Sequence, residues 1–198
     1  MSHPTDFHAL IEAAVRAPSG HNSQPWQFAL GDDRITIAPD FSKRLPVVDP
    51  DNRELYISLG CAAENLRIAA SHHGYATTTA IAADGAITIT LQQQPGITPD
   101  LHQQPETEYN AQAEALYAQI PRRQTNRATA DGRRIPPSAL DDILAASQSA
   151  GVQLHAWENG SPAFARLGAL VMAGNTAQMR DPAFKRELLT WIRYNRKD

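Results

Sequence analysis

The chain has 198 residues, of which 42% are hydrophobic and 20% are charged, and its formal net charge is −3. This length suffices for one sizeable domain or two small ones, and the slightly acidic balance does not favour nucleic acid or an anionic membrane as a partner. No apolar run approaches the roughly 20 residues of a membrane helix. The N-terminus lacks a signal-peptide pattern, and the single cysteine, Cys61, excludes an intrachain disulfide, so a cytoplasmic location is predicted.

The first part of the chain predicts two helices and two hairpins. Apolar residues from Phe7 to Val15 recur at helical spacing, and turn residues separate two pairs of alternating runs. Asp51 and Glu54 have the spacing of a capping box before a long helix rich in small residues, which suits a central, closely packed position. The predicted elements are a helix over 7–15, strands over 26–30 and 34–38, a helix over 52–73, and strands over 75–81 and 86–91.

Proline and glutamine dominate residues 92–108, which have the composition of an exposed linker. We therefore place the main internal boundary there. Helical patterning resumes after it, and a capping residue precedes proline at two later helix starts. The predicted elements are helices over 109–120 and 138–149, a strand over 152–157, and helices over 162–178 and from 182 to the end.

The most informative segment runs from Ala17 to Trp26 and reads Ala-Pro-Ser-Gly-His-Asn-Ser-Gln-Pro-Trp. Pro18 makes Ala17 a helix boundary. The serine, glycine and asparagine that follow suit a sharply bent backbone whose N–H groups can face a ligand. An ordinary surface turn is the alternative interpretation of the same residues.

A second segment, Arg123-Gln124-Thr125-Asn126-Arg127, places a threonine between two arginines. Side chains two residues apart share a face of an extended segment, so Arg123, Thr125 and Arg127 are predicted to project together. Two guanidinium groups and a hydroxyl suit one phosphate. A solvated basic segment is the alternative that the spacing alone leaves open.

With these two strings the chain resembles the nitroreductases, the FMN-dependent NAD(P)H oxidoreductases. The two strings lie on different halves of the chain, which is similar to the Acg-like nitroreductase-related proteins that carry two nitroreductase-like halves. Residues 49–55 and 187–191 match that pattern further. The resemblance implies an α+β, nitroreductase-like fold with a mainly antiparallel sheet flanked by helices around a long central helix. It divides the chain into a first half (1–92), a linker (93–108) and an incomplete second half (109–198).

The resemblance also implies an FMN site and an activity. The implied residues are Pro18, Ser19 and Asn22 on the isoalloxazine side, and Arg123, Thr125 and Arg127 at the phosphate. Gly20 stands where some relatives have a second serine, so a backbone contact is expected there. The implied reaction passes hydride from NAD(P)H through the flavin to a nitro, quinone or similar small acceptor. No dinucleotide fingerprint is present, which favours FMN over FAD.

No catalytic or metal-binding side chain is predicted. Because the flavin carries the reaction, the protein need supply no acid, base or nucleophile. The chain has no His-Glu-x-x-His string and no cysteine cluster, and the adjacent His72 and His73 are predicted to be a solvated helix end. Three functions stay open: an FMN-dependent oxidoreductase, a flavin-binding or flavin-sequestering protein with little turnover, and a relic that binds no flavin.

The sequence ends inside an apparent helix, whereas Acg-like chains are longer. We therefore expect the chain to be a truncated Acg-like protein whose apolar helix faces must pack against another surface. The expected assembly is a homodimer, or a pseudo-dimer completed by a missing C-terminal segment. The apolar residues concerned are Leu167, Leu170, Val171, Leu188, Leu189, Trp191 and Ile192.

Overall fold

The computed structural model describes residues 7–94, 108–146 and 151–193, and within these ranges the fold is α+β, with four strands and six helices. The strands are β1 (Trp26–Leu30), β2 (Arg34–Pro39), β3 (Tyr75–Ile81) and β4 (Ile87–Gln93). The helices are α1 (Phe7–Ala14), α2 (Arg53–His72), α3 (Glu108–Tyr117), α4 (Pro137–Ala146), α5 (Pro162–Arg180) and α6 (Pro182–Trp191). No helix among these is long and apolar enough to cross a membrane.

The four strands form one antiparallel sheet in the order β1-β2-β4-β3. Each predicted hairpin is present, and the two hairpins meet where β2 pairs with β4. Alternation along β2 and β4 buries Ile35 and Ile89 opposite each other, whereas Thr36 and Thr88 lie on the other face with their hydroxyl oxygens 3.1 Å apart. The predicted α+β class with an antiparallel sheet is therefore confirmed.

Helix α2 contacts α1 and α3 as well as strands β2, β3 and β4. Leu59 and Leu66 are fully buried, and small residues such as Ala62 and Ala69 let the neighbouring elements approach closely. The small-residue composition predicted this crowded position correctly.

The predicted capping box at the start of α2 is wrong. Asn52, the residue before the helix, adopts a left-handed backbone with φ of 59°, and its side chain makes no capping hydrogen bond. The buried Asp49 carboxylate caps the helix from further upstream instead, accepting hydrogen bonds from the N–H groups of Glu54 at 3.0 Å and Leu55 at 2.9 Å. Asp49 thus binds the Glu54 N–H that a capping box would assign to Asp51, while the Asp51 carboxylate accepts a hydrogen bond from the Arg53 N–H at 3.4 Å.

Two expectations for the later part of the chain also need correction. The predicted strand over 152–157 is absent from this described segment: Val152 makes an isolated bridge, and the residues after it are irregular. Two helices also end early: α3 ends at Tyr117, three residues before the predicted end, and α6 ends at Trp191, whereas it was predicted to continue through residues 192–193. Part of the predicted linker (95–107), the end of the predicted fourth helix (147–149) and the last residues of the chain (194–198) lie outside the described residues.

The chain divides into two compact units, residues 1–123 with 183–198, and residues 124–182. Among the described residues, every buried hydrophobic side chain belongs to the first unit. The described side chains of the second unit are all exposed or half-buried. These are units of packing, and the division into nitroreductase-like halves over 1–92 and 109–198 stays a prediction.

His72 and His73 are half-buried, so the prediction of a solvated helix end is wrong. The His72 ring stacks on Tyr117 with the ring centroids 4.1 Å apart, and its Nδ1 lies 2.7 Å from the Glu114 carboxylate. His73 meets the Tyr117 ring edge-on at 5.8 Å. Helix α3, which carries Glu114 and Tyr117, therefore covers the end of α2.

We expect His73 to make the fold sensitive to mild acid. Burial lowers the pKa of His73 below its ordinary value, the neighbouring His72 lowers it further, and Glu114 opposes both. The unfolded chain therefore binds this proton more readily than the folded chain does. The resulting stability is present above about pH 6.5 and is lost as pH falls through the folded pKa. Urea unfolding should show a steeper loss of stability between about pH 7 and about pH 5 for the wild type than for His73→Gln. Equal losses in the two proteins would contradict this assignment.

Candidate functional site

The polar loop, defined here as residues 18–25, leaves α1 and leads into β1 through a short 3-10 turn at Gly20–Asn22. Three of its non-glycine residues have left-handed backbones, with φ of 50° at His21, 55° at Asn22 and 51° at Gln24. Such conformations cost roughly 1–3 kcal/mol each in non-glycine residues and persist where the surrounding structure enforces them. The sequence predicted a sharply bent backbone here, and the structure has one. The loop is strained because three of its residues adopt left-handed conformations.

Hydrogen bonds within and around the polar loop hold this conformation. The Ser19 hydroxyl oxygen accepts a hydrogen bond from the Gln24 N–H at 2.9 Å, and the Gln24 side-chain amide donates to the carbonyl of Val15 at 3.2 Å. Lys43 donates from Nζ to the Gln24 carbonyl at 3.2 Å. Ser19 thus has a role inside the loop, while its hydroxyl proton can still be donated to a ligand.

The three residues predicted for the isoalloxazine side differ in exposure. Pro18 and Asn22 are exposed, and Ser19 is half-buried. Between them Gly20 packs tightly: a Cβ added there would lie 3.0 Å from Leu45 Cδ1 and 3.2 Å from a Glu54 carboxylate oxygen. A serine would fit at position 20 only if these neighbours moved, which gives the physical reason for the glycine.

Arg123, the first residue of the segment 123–127, contacts the chain just before the polar loop. Its guanidinium donates from Nη2 to the carbonyl of Arg16 at 3.2 Å, two residues before Pro18, and both residues belong to the first unit. The positive charge of Arg123 also acts on Cys61. Burial raises the pKa of the Cys61 thiol, and the nearby Arg123 opposes that rise. Arg123 is exposed, so the guanidinium keeps further donors for a ligand.

A groove of about 190 Å³ adjoins this contact within the first unit. Glu12 of α1 and Arg16, which follows that helix, line one wall, and the end of α3 with the turn after it contributes Tyr117 and Pro121. Alanine side chains form part of the same lining, so the groove combines an apolar surface with charged groups.

Thr125 and Arg127 belong to the second unit, and both are exposed. They lie in a segment that is neither helix nor strand, where the Asn126 side chain accepts a hydrogen bond from the Ala128 N–H at 2.9 Å. Their role as phosphate ligands stays a prediction.

Sequence reasoning assigned no role to two residues of α6 that contact loops near the candidate site. The Glu187 carboxylate accepts hydrogen bonds from the N–H groups of Val47 and Val48, and the buried Phe184 ring lies edge-on to His21. Glu187 lies in the segment 187–191 that matched the family pattern, which was the only signal available. Its partners are about 140 residues away in sequence, a separation that no local pattern encodes.

Comparisons with known proteins bear on what this site does. No family model matches the chain. Two relatives from Mycobacterium tuberculosis carry the name "Putative NAD(P)H nitroreductase". One, Rv3131, is 29% identical over 186 residues, covering 92% of this chain and 49% of the relative. The other, acg, is 33% identical over 66 residues, covering 33% of this chain and 20% of the relative.

A third relative from the same species, uncharacterized protein MT1398, is 25% identical over 192 residues, covering 93% of this chain and 24% of the relative. The chain spans about half the length of Rv3131. The similarities to Rv3131 and acg support a relation of the chain to the nitroreductase superfamily.

Proposed function

We propose that this chain is an FMN-dependent NAD(P)H oxidoreductase of the nitroreductase type, with a nitroreductase-like fold and a cytoplasmic location. The observation that carries the proposal is the contact from Arg123 to the Arg16 carbonyl at 3.2 Å. It places Arg123, the first residue of the segment 123–127, beside the residues that lead into the polar loop, and both partners belong to the first unit. The NAD(P)H nitroreductase names of the relatives support the same class of activity.

The chemistry of the available groups fits FMN. The exposed Arg123 guanidinium suits a phosphate, since it can donate two parallel hydrogen bonds to two oxygens. The Asn22 amide and the Ser19 hydroxyl suit the carbonyl oxygens and ring nitrogens of a flavin. Pro18 offers an exposed apolar surface beside them. Thr125 and Arg127 are proposed as further phosphate ligands on the sequence pattern alone.

In this proposal FMN supplies the redox chemistry, with NAD(P)H as the hydride donor and a nitro, quinone or similar compound as the acceptor. The protein binds FMN and orients its ring. Arg123 fixes the phosphate end by charge, and Asn22 and Ser19 orient the ring by directional hydrogen bonds. The strained backbone of the polar loop presents these groups without reorganisation on binding, which favours affinity.

The test is a flavin titration of the purified full chain. We expect the protein to bind FMN stoichiometrically, and we expect flavin released by heat and separated by chromatography to be FMN rather than FAD. The loaded protein should then oxidise NADH or NADPH in the presence of a quinone or a nitroaromatic compound. Binding of FMN without NAD(P)H oxidation would favour the flavin-sequestering alternative, and failure to bind FMN would overturn the proposal.

A further inference from the structure

Helix α6 binds the backbone of residues 47–48, far from it in sequence, through both oxygens of one carboxylate. One carboxylate oxygen of Glu187 accepts a hydrogen bond from the Val47 N–H at 2.9 Å, and the other accepts from the Val48 N–H at 3.0 Å. All three residues belong to the first unit. Hydrogen bonds to an ionised carboxylate are shorter and stronger than neutral ones, and two of them fix the direction of the backbone.

The segment held by Glu187 packs against the polar loop. Leu45, two residues before Val47, is buried, and its Cδ1 lies 3.0 Å from the position that a Cβ on Gly20 would occupy. The Asp49 N–H donates to the Leu45 carbonyl at 2.8 Å, which closes residues 45–49 into a compact turn. Val47 and Val48 lie within this turn, so the turn links the Glu187 contact to the packing of Leu45 on Gly20.

Helix α6 also touches the polar loop directly. The Phe184 ring meets the His21 ring edge-on, with centroids 6.3 Å apart and planes inclined by 70°. His21 is one of the left-handed residues, with φ of 50°. Its Nε2 is buried and has no hydrogen-bond partner within the described residues, so ring packing holds this side chain.

We propose that α6 is a clasp that holds the polar loop in its strained conformation, and that Glu187 is its positioning residue. Three left-handed residues in one loop need external support, because each would relax if its surroundings allowed. Helix α6 supplies support on two sides, through Phe184 on His21 and through Glu187, Val47 and Leu45 on Gly20. This inference rests on the proposed function in one respect only, namely that the ligand bound by the loop is FMN.

The experiment compares Glu187→Ala and Glu187→Gln with the wild type, and uses Lys185→Ala, an exposed neighbour on α6, as the matched control. Amide hydrogen exchange is measured on the full chain, followed by the FMN dissociation constant. In Glu187→Ala we expect the Val47 and Val48 amides to exchange about tenfold faster or more. The polar-loop amides of Ser23 and Gln24 should also exchange faster, whereas the amides of the central strand β2 should keep their rates.

FMN affinity should fall about three- to tenfold in Glu187→Ala, because the loop must be ordered again on binding. Glu187→Gln retains one acceptor oxygen and should show a smaller effect, and Lys185→Ala should match the wild type. Faster exchange at Val47 and Val48 with unchanged rates in the polar loop would overturn the clasp, as would unchanged rates at Val47 and Val48 themselves. If the wild type binds no FMN, the proposed function fails, yet the exchange rates still decide whether α6 holds the loop.

Discussion

Replacing Arg123 by alanine is expected to weaken FMN binding by about ten- to a hundredfold. A hydrogen bond to a charged group contributes about 1.5–3 kcal/mol, and the guanidinium is proposed to make such bonds to the phosphate. The exposed position of Arg123, with one donor on the Arg16 carbonyl, leaves other donors free for this contact. Titration of FMN fluorescence against the wild type and the variant measures the change. The sequence pattern predicts a similar loss for Arg127→Ala.

Riboflavin separates loss of a phosphate contact from damage to the loop. It lacks the phosphate, so its binding should change little in Arg123→Ala. The neighbouring Arg122, also exposed, supplies the matched control, and Arg122→Ala should bind FMN as the wild type does. If FMN and riboflavin lose affinity equally in Arg123→Ala, the residue acts by holding the Arg16 carbonyl and thus the loop, and its assignment to the phosphate is wrong.

The sequence predicted the parts of the fold that depend on local pattern. Alternating runs on either side of a short turn specified both hairpins, and the small-residue run of 59–70 specified a crowded helix, because each signal lies within the element it describes. The start of α2 was mispredicted for a related reason. A capping box is a local pattern, whereas the actual cap, Asp49, lies outside the residues of that pattern, and Asn52 between it and the helix has a left-handed backbone.

The candidate site likewise combines a loop that the local sequence predicts with contacts that the local sequence does not predict. Pro18, Gly20 and Asn22 marked a bent polar loop, and the structure contains that loop. The contacts of α6 were not predictable, since Phe184 meets His21 of the loop and Glu187 binds the N–H groups of Val47 and Val48 across long separations in sequence. The same reasoning applies to His72, whose half-buried position depends on Tyr117, a residue of another helix. Local patterns can therefore propose which groups face a ligand, whereas the groups that hold them follow only from the tertiary structure.

The exposed apolar face of α5 leads to the last prediction, which concerns assembly. Leu167, Leu170 and Val171 recur at helical spacing, and Leu170 and Val171 are 71% and 53% exposed. Leu189 of α6 and Ile192, just after that helix, are exposed as well, whereas Leu188 and Trp191 are half-buried. Exposed apolar side chains along a helix face are unfavourable in water, so we expect the chain to self-associate as a symmetric dimer. Sedimentation at several protein concentrations should show a species heavier than the 21.6 kDa chain.

Leu170→Glu tests whether the α5 face is responsible. Burying a leucine side chain contributes about 1.5–3 kcal/mol, and a buried carboxylate without a partner adds a further penalty. The dimer dissociation constant of the variant should therefore be about tenfold higher or more. Gln178→Glu, which adds the same charge at an exposed polar position of α5, should leave the association unchanged. A wild-type protein that sediments as a monomer at every concentration would contradict the predicted dimer. A wild-type dimer that Leu170→Glu leaves intact would show instead that another surface joins the two copies.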